Sequence, residues 1–102
     1  MEEKAFQAIE AARKSGKISK GANEVTKVLE KGKAKLVVYA KDVSPAEIVM
    51  HLPILSKEKG VPCIGVGNKQ ELGAAAGLPL GTSAVAITDA GDAADLIKEL
   101  SA

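Results

Sequence analysis

The stretch LVVYAKDVSPAEIVMHLPILSKEKGVPCIGV, residues 36–66, decides the fold. Two apolar runs rich in β-branched residues, Leu36–Ala40 and Val61–Val66, flank a helical pattern. Such runs, without polar alternation, read as short strands buried on both faces. Between them Ser44 is placed to cap a helix, with Pro45 at its first position and Glu47 at its third, the capping-box arrangement. Ile48, Val49, Leu52 and Leu55 supply the helix's apolar face. Pro53 lacks an N–H and is expected to kink or interrupt the helix before Gly60 closes it.

The pattern repeats outward. Residues 3–15 form an amphipathic helix with Phe6, Ile9, Ala5 and Ala12 on one face, stopped at Gly16. Lys17–Lys20 is a loop or a brief strand. After Gly21, Val25, Val28 and Leu29 make a helical stripe that Gly32 ends. Asn68 can cap KQELGAAAG, which stops at Gly77, and the linker LPLGTS leads to a further strand, AVAIT at 84–88. A turn at 89–91 precedes a last helix, 92–100, with Ala93, Leu96, Ile97 and Leu100 inward. Helices alternating with buried strands give an α/β domain, a largely parallel or mixed sheet between helical layers. With 102 residues and no internal repeat or linker, residues 1–102 are expected to be a single domain.

Composition excludes several classes. Hydrophobic residues make up 46% and charged residues 26%, the balance of a soluble globular protein. No apolar run approaches the roughly 20 residues of a membrane span, and no signal-peptide pattern opens the chain. One cysteine cannot make an internal disulfide, and one Cys with one His cannot build a zinc site. The expectation is a soluble cytoplasmic domain with no cofactor, no metal and no membrane partner. Phe6 and Tyr39 are the only aromatics, which argues against modules that stack successive bases on aromatic rings.

Net charge is +1, but it is unevenly spread. Arg13 to Lys41 holds nine basic residues against Glu24 and Glu30, a net +7, and the rest of the chain carries −6. One reading is a face built to meet an anion such as nucleic acid; the other is lysines solvated on several faces.

Most other motifs have plain explanations. GVGNKQELG, residues 65–73, has neither the GxGxxG nor the Walker spacing, and strand-to-helix packing accounts for Gly65 and Gly67. His51 has no nucleophile or orienting partner nearby in sequence and reads as a packing or cap residue. Cys63, inside a strand, behaves as a small hydrophobe. Asp89, Asp92 and Asp95 near a helix start favour its dipole. Nothing in these motifs argues strongly for an enzyme.

GANEVTK, residues 21–27, differs. Asn23 falls at or near an N-cap, with Glu24 and Lys27 on the first turn. Asn offers a donor and an acceptor, Glu only acceptors, Lys only donors. A guanine edge presents the matching set, and free N–H groups at a helix start favour a phosphate. The same residues also fit a plain surface helix, with Asn23 as cap and Glu24–Lys27 as an i,i+3 pair. The residues alone leave both readings open.

The order of NEVTK at 23–27, the AKDVSP–EIV–HLP block at 40–53 and ELGAAAG at 71–77 closely resembles the archaeal L7Ae family of kink-turn RNA-binding ribosomal proteins. The resemblance spans residues 21–62 and 68–87. It implies a three-layer α-β-α sandwich with a small mixed sheet, and a non-enzymatic protein that binds kink-turns and kink-loops. These are RNAs that bend sharply at a bulge beside tandem sheared G·A pairs. It further implies base reading by Asn23, Glu24 and Lys27, close backbone approach at Gly21, and a phosphate contact from Lys31. Ile48 would pack near the RNA, Lys69 would touch its backbone, and the apolar loop Leu78-Pro79-Leu80 would abut the bulge.

The implied partners are structured RNA and other ribonucleoprotein subunits, with a monomer when free. The implied settings are the large ribosomal subunit, box C/D and H/ACA guide particles and RNase P. Ser44 stands where many members carry an acid, and Leu78-Pro79-Leu80 differs from the commoner Ile-Glu-Val. Glu47 reads as a helix-start residue. The alternatives are an L30e-like or bacterial-type kink-turn ribosomal protein, or an adaptor that keeps the fold without the RNA site.

Overall fold

The computed structural model describes residues 2–44 and 47–101, and the side chains of all of these except Glu2, Glu47, Ile48 and Ser101. The elements, in order, are α1 (Glu2–Ser15), β1 (Lys17–Lys20), α2 (Ala22–Glu30), β2 (Leu36–Ala40), α3 (Glu47–Glu58), β3 (Cys63–Val66), α4 (Lys69–Ala75), β4 (Ala84–Asp89) and α5 (Ala94–Ser101). A 3-10 turn over Gly91–Ala93 leads into α5. Among the described residues, no helix is long and apolar enough to cross a membrane.

The sheet has four strands in the order β1-β4-β2-β3. β2 and β3 run parallel, while β4 is antiparallel to both β1 and β2, so the sheet is mixed. Side chains alternate across it. Leu36, Val38, Ala40, Val85 and Ile87 face one cluster with Ala5, Ala8, Ile9 and Ala12 of α1, Leu72 and Ala75 of α4, and Leu100 of α5. Val37, Ala84 and Ala86 face the other, with Val25 and Leu29 of α2 and Val49 and Leu52 of α3. Two helical layers therefore enclose the sheet. Its central strands are covered on both sides, which is why their sequences are continuous apolar runs.

Three expectations need correction. β3 begins at Cys63, not Val61, and only Val66 in it is fully buried. It lies at the sheet edge, where one flank has no strand to cover it. Pro53 does not interrupt α3, which runs unbroken from Glu47 to Glu58. Val49 and Leu52, buried against α2, anchor the helix just before the proline and offset the lost backbone bond. Gly65 is small for a different reason than helix packing: a Cβ there would stand 2.8 Å from the Tyr39 ring of the paired strand. The expected cap at Ser44-Pro45 reaches into residues outside those described.

Lys17–Lys20 forms a true strand. Its sequence has one large apolar residue, and its order comes from pairing with β4, Ile18 against Ile87 and Lys20 against Val85. Asn68 caps α4 as expected, its side chain accepting from Gln70 N at 2.7 Å and Glu71 N at 3.2 Å. Asn68→Ala should cost about 1 kcal/mol. A shift of the urea midpoint at unchanged slope would register it.

Candidate functional site

Four strand ends meet at one end of the sheet. β1 ends at Lys20 beside Val85, β2 and β3 end at the paired Ala40 and Val66, and β4 starts at Ala84 opposite Tyr39. The segments continuing from these ends therefore cluster. They are Gly21 with the start of α2, the turn after β2, Asn68–Lys69 opening α4, and the loop 78–83.

The first turn of α2 is fixed from several sides. Gly21 is its N-cap with φ 92° and ψ 145°, a conformation open essentially to glycine alone. A Cβ there would meet nothing within 4 Å, so the backbone lies bare toward solvent. Gly21 N donates to Ala84 O at 2.8 Å, and Val25 N donates to Gly21 O at 3.0 Å. Ala22 N donates to Ser83 Oγ at 3.0 Å. Thr26 Oγ1 donates to Ala22 O at 2.7 Å. The same oxygen lies 2.7 Å from His51 Nε2 on α3. Thr26 has one hydroxyl proton and gives it to Ala22 O, so His51 Nε2 is the donor in the second bond. His51 thus bridges two helices instead of capping one.

The expectation that Asn23 caps α2 is overturned: Gly21 holds the cap position, and no side chain of the helix bonds there. A glycine has no side-chain oxygen, so the cap comes from Ser83, 61 residues away. Asn23 is consequently exposed with no hydrogen-bond partner among the described residues. Glu24 and Lys27 form the expected i,i+3 pair at 3.5 Å, with side chains 60% and 64% exposed. Exposed pairs of this kind contribute a few tenths of a kcal/mol, so the pair does little to restrain either side chain. Lys20, Gly21, Ala22, Asn23, Glu24 and Ser83 line a surface depression.

The loop 78–83 is clamped beside this turn. Thr82 N donates to Lys69 O at 3.1 Å, and Lys69 N donates to Asp42 Oδ1 at 2.9 Å. Leu78 N donates to Gly73 O at 2.9 Å. Leu78 is half-buried and packs on the α1 side of the core, while Pro79 is exposed and Leu80 is 74% exposed. The loop is therefore anchored by one apolar residue and displays another.

Not all the residues named from sequence gather here. Gly21, Asn23 and Glu24 share one helix start. Lys27, expected on the first turn with Glu24, lies in the last turn of the nine-residue α2 and meets Glu24 only through their i,i+3 pair. Lys69 is tied to the loop carrying Leu78, Pro79 and Leu80. Lys31 is the C-cap of α2. Eight residues at 1.5 Å each put it about 12 Å from Asn23 along the axis. Ile48 belongs to α3, but its side chain lies outside those described. Sequence reasoning missed Lys20 and Ser83 as site residues. Lys20 was legible as the cation next to Gly21; Ser83 carried no local signal.

The opposite end of the sheet holds a second depression, lined in part by Lys35, Lys57 and Cys63. The end of α3 and the α5 residues Ile97 and Leu100 border it, and Lys57 complements the negative end of its helix dipole. Burial pushes the Cys63 thiol up, and the Ser56 hydroxyl offsets part of that rise. Among the described residues, no group of His, Cys, Asp and Glu could hold a metal ion.

Residues 3–97 match the sequence profile of the ribosomal protein L7Ae/L30e/S12e/Gadd45 family. The chain belongs to that family. Among solved structures, the Giardia lamblia 15.5kD RNA binding protein is similar at a TM-score of 0.88 and 32% identity, over 98% of this chain and 83% of that one. The sandwich found here is thus the L7Ae-type fold. The clustered segments, from Lys20 through the loop 78–83, all lie inside the span matched to the L7Ae family.

Proposed function

We propose that this L7Ae-family chain is an RNA-binding protein that recognises and stabilises kink-turn or kink-loop RNA. The observation that carries the reading is a rigid helix start with idle side chains. Four hydrogen bonds fix Gly21 and Ala22, while Asn23 has no partner and Glu24 only a weak one. Rigid placement lowers the entropy lost on binding, and uncommitted polar groups are free to pair with a ligand.

The division of labour follows from group chemistry. Asn23 supplies a donor and an acceptor, and Glu24 acceptors for guanine N–H groups, which gives selectivity. Lys20, Lys27, Lys31 and Lys69 supply affinity for phosphates. Bare backbone at Gly21 admits close approach, and Leu80 offers an apolar surface to an unstacked base. Free kink-turn RNA exchanges between open and kinked forms. A protein preferring the kinked form by about 5.5 kcal/mol moves it from 1:99 to 99:1. RNA bent in this way is the platform of the large ribosomal subunit, of box C/D and H/ACA guide particles and of RNase P, where other subunits would join it.

Titration against a kink-turn duplex, and against the same duplex with its sheared G·A pairs replaced by Watson–Crick pairs, tests the reading. The expected result is at least a hundredfold preference for the kink-turn. Equal affinity for the two would show a general RNA binder, and a flat titration with both would favour an adaptor. Lys31→Ala should weaken both RNAs alike and reduce the slope of log K against log salt by about 0.7–0.9. A selective loss on the kink-turn alone would contradict a pure phosphate role for Lys31.

A further inference from the structure

The Ser83 hydroxyl is committed on one side only. Its oxygen accepts the Ala22 N–H at 3.0 Å, while its proton meets no acceptor among the described residues. The residue is half-buried and lines the depression that also holds Lys20, Asn23 and Glu24. A hydroxyl that already accepts a hydrogen bond is polarised into a better donor. Lys20 in the same wall draws oxygen-rich, negative ligand groups toward it. The Ala22 bond also fixes where the oxygen sits relative to Asn23, the next residue along.

From these relations we infer that Ser83 is itself an RNA ligand, donating its proton to a backbone oxygen, phosphate or ribose 2′-hydroxyl, of the strand seated over the first turn of α2. This rests on the RNA-binding reading above and adds a residue to it. In this arrangement one oxygen does two jobs. It caps the reading helix, and it sets the distance between the sugar–phosphate chain and the base that Asn23 meets. The loop 78–83 then bears on the reading turn through Ser83 as well as through its own apolar tip.

The test uses the full chain and a kink-turn duplex carrying single 2′-deoxy or single phosphorothioate substitutions along the kinked strand. Ser83→Ala is expected to bind the unmodified RNA about three- to tenfold more weakly, the range of one neutral hydrogen bond. Ser83→Thr, which keeps the hydroxyl, should stay within about twofold of wild type. One backbone position should cost wild type a similar factor and cost Ser83→Ala nothing, the mark of a direct pair. A 2′-deoxy position identifies a ribose acceptor, and a phosphorothioate position a phosphate. Ser83→Asp keeps an acceptor for the Ala22 N–H but has no proton. It should hold the wild-type melting temperature and show the same insensitivity at that position. If every substitution costs wild type and Ser83→Ala alike, Ser83 only caps the helix and the inference falls while the RNA reading stands. A wild-type protein that binds none of these RNAs overturns both.

Discussion

Replacing Asn23 and Glu24 together by alanine should remove discrimination for the kink-turn and leave the protein folded. Both side chains are exposed, and among the described residues the weak Glu24–Lys27 pair is their one side-chain tie. Alanine is the better helix former at both positions, so stability should change by no more than about 0.5 kcal/mol. Each lost base contact costs roughly 1–3 kcal/mol, or about 2–6 kcal/mol for the two if they add. That is from about thirtyfold to beyond ten-thousandfold in affinity for the kink-turn, with the Watson–Crick control little changed. Glu24→Ala alone should give the smaller share. Urea denaturation and gel-shift titration of the same preparations separate the two effects. A double variant that still prefers the kink-turn as strongly as wild type would place the base reading elsewhere.

Gly73→Ala should be destabilising, although helix propensity favours alanine by about 1 kcal/mol. Gly73 is buried in α4 with the loop 78–82 lying directly on it. A Cβ there would run into the Leu80 carbonyl oxygen, with Gly81 Cα only 2.9 Å away. These are backbone atoms and cannot rotate aside. The loop would have to lift, straining or breaking Leu78 N to Gly73 O and Thr82 N to Lys69 O. Overpacking plus about two weakened bonds amounts to roughly 2–4 kcal/mol after the propensity gain. For a domain of this size that lowers the melting temperature on the order of 10 °C. RNA affinity should fall as well, since the displaced loop continues into Ser83 and Ala84, which hold the start of α2. An alanine variant as stable as wild type would mean that the loop is not pinned where α4 meets it.

Much of the fold could be read from residue order because local signals agree with tertiary ones. Val25 and Leu29, spaced as a helical stripe, are fully buried, and Leu36–Ala40 is a strand with four of its five residues buried. Asn68 both looks like a cap and is one. The failures share a cause, which is tertiary contact. Lys17–Lys20 is ordered by a strand almost seventy residues later, and no propensity in KISK announces that. Pro53 sits in an intact helix because Val49 and Leu52 are held from outside. At the site, residue types and spacing left Asn23, Glu24 and Lys27 open between base reading and a plain surface helix, and mistook which residue caps it. Glycine geometry at Gly21 displaces that role onto Ser83, and a contact spanning 61 residues leaves no mark in a short window.

β4 is the last strand in the chain, yet β1 and β2 both pair with it, and the serine just before it completes the start of α2. A ribosome that has reached only residue 80 has therefore built α2 without the serine that holds its end. Half a chain does not carry half a site. On the RNA-binding function proposed above, competence to bind is expected only once Ser83 and β4 have been made.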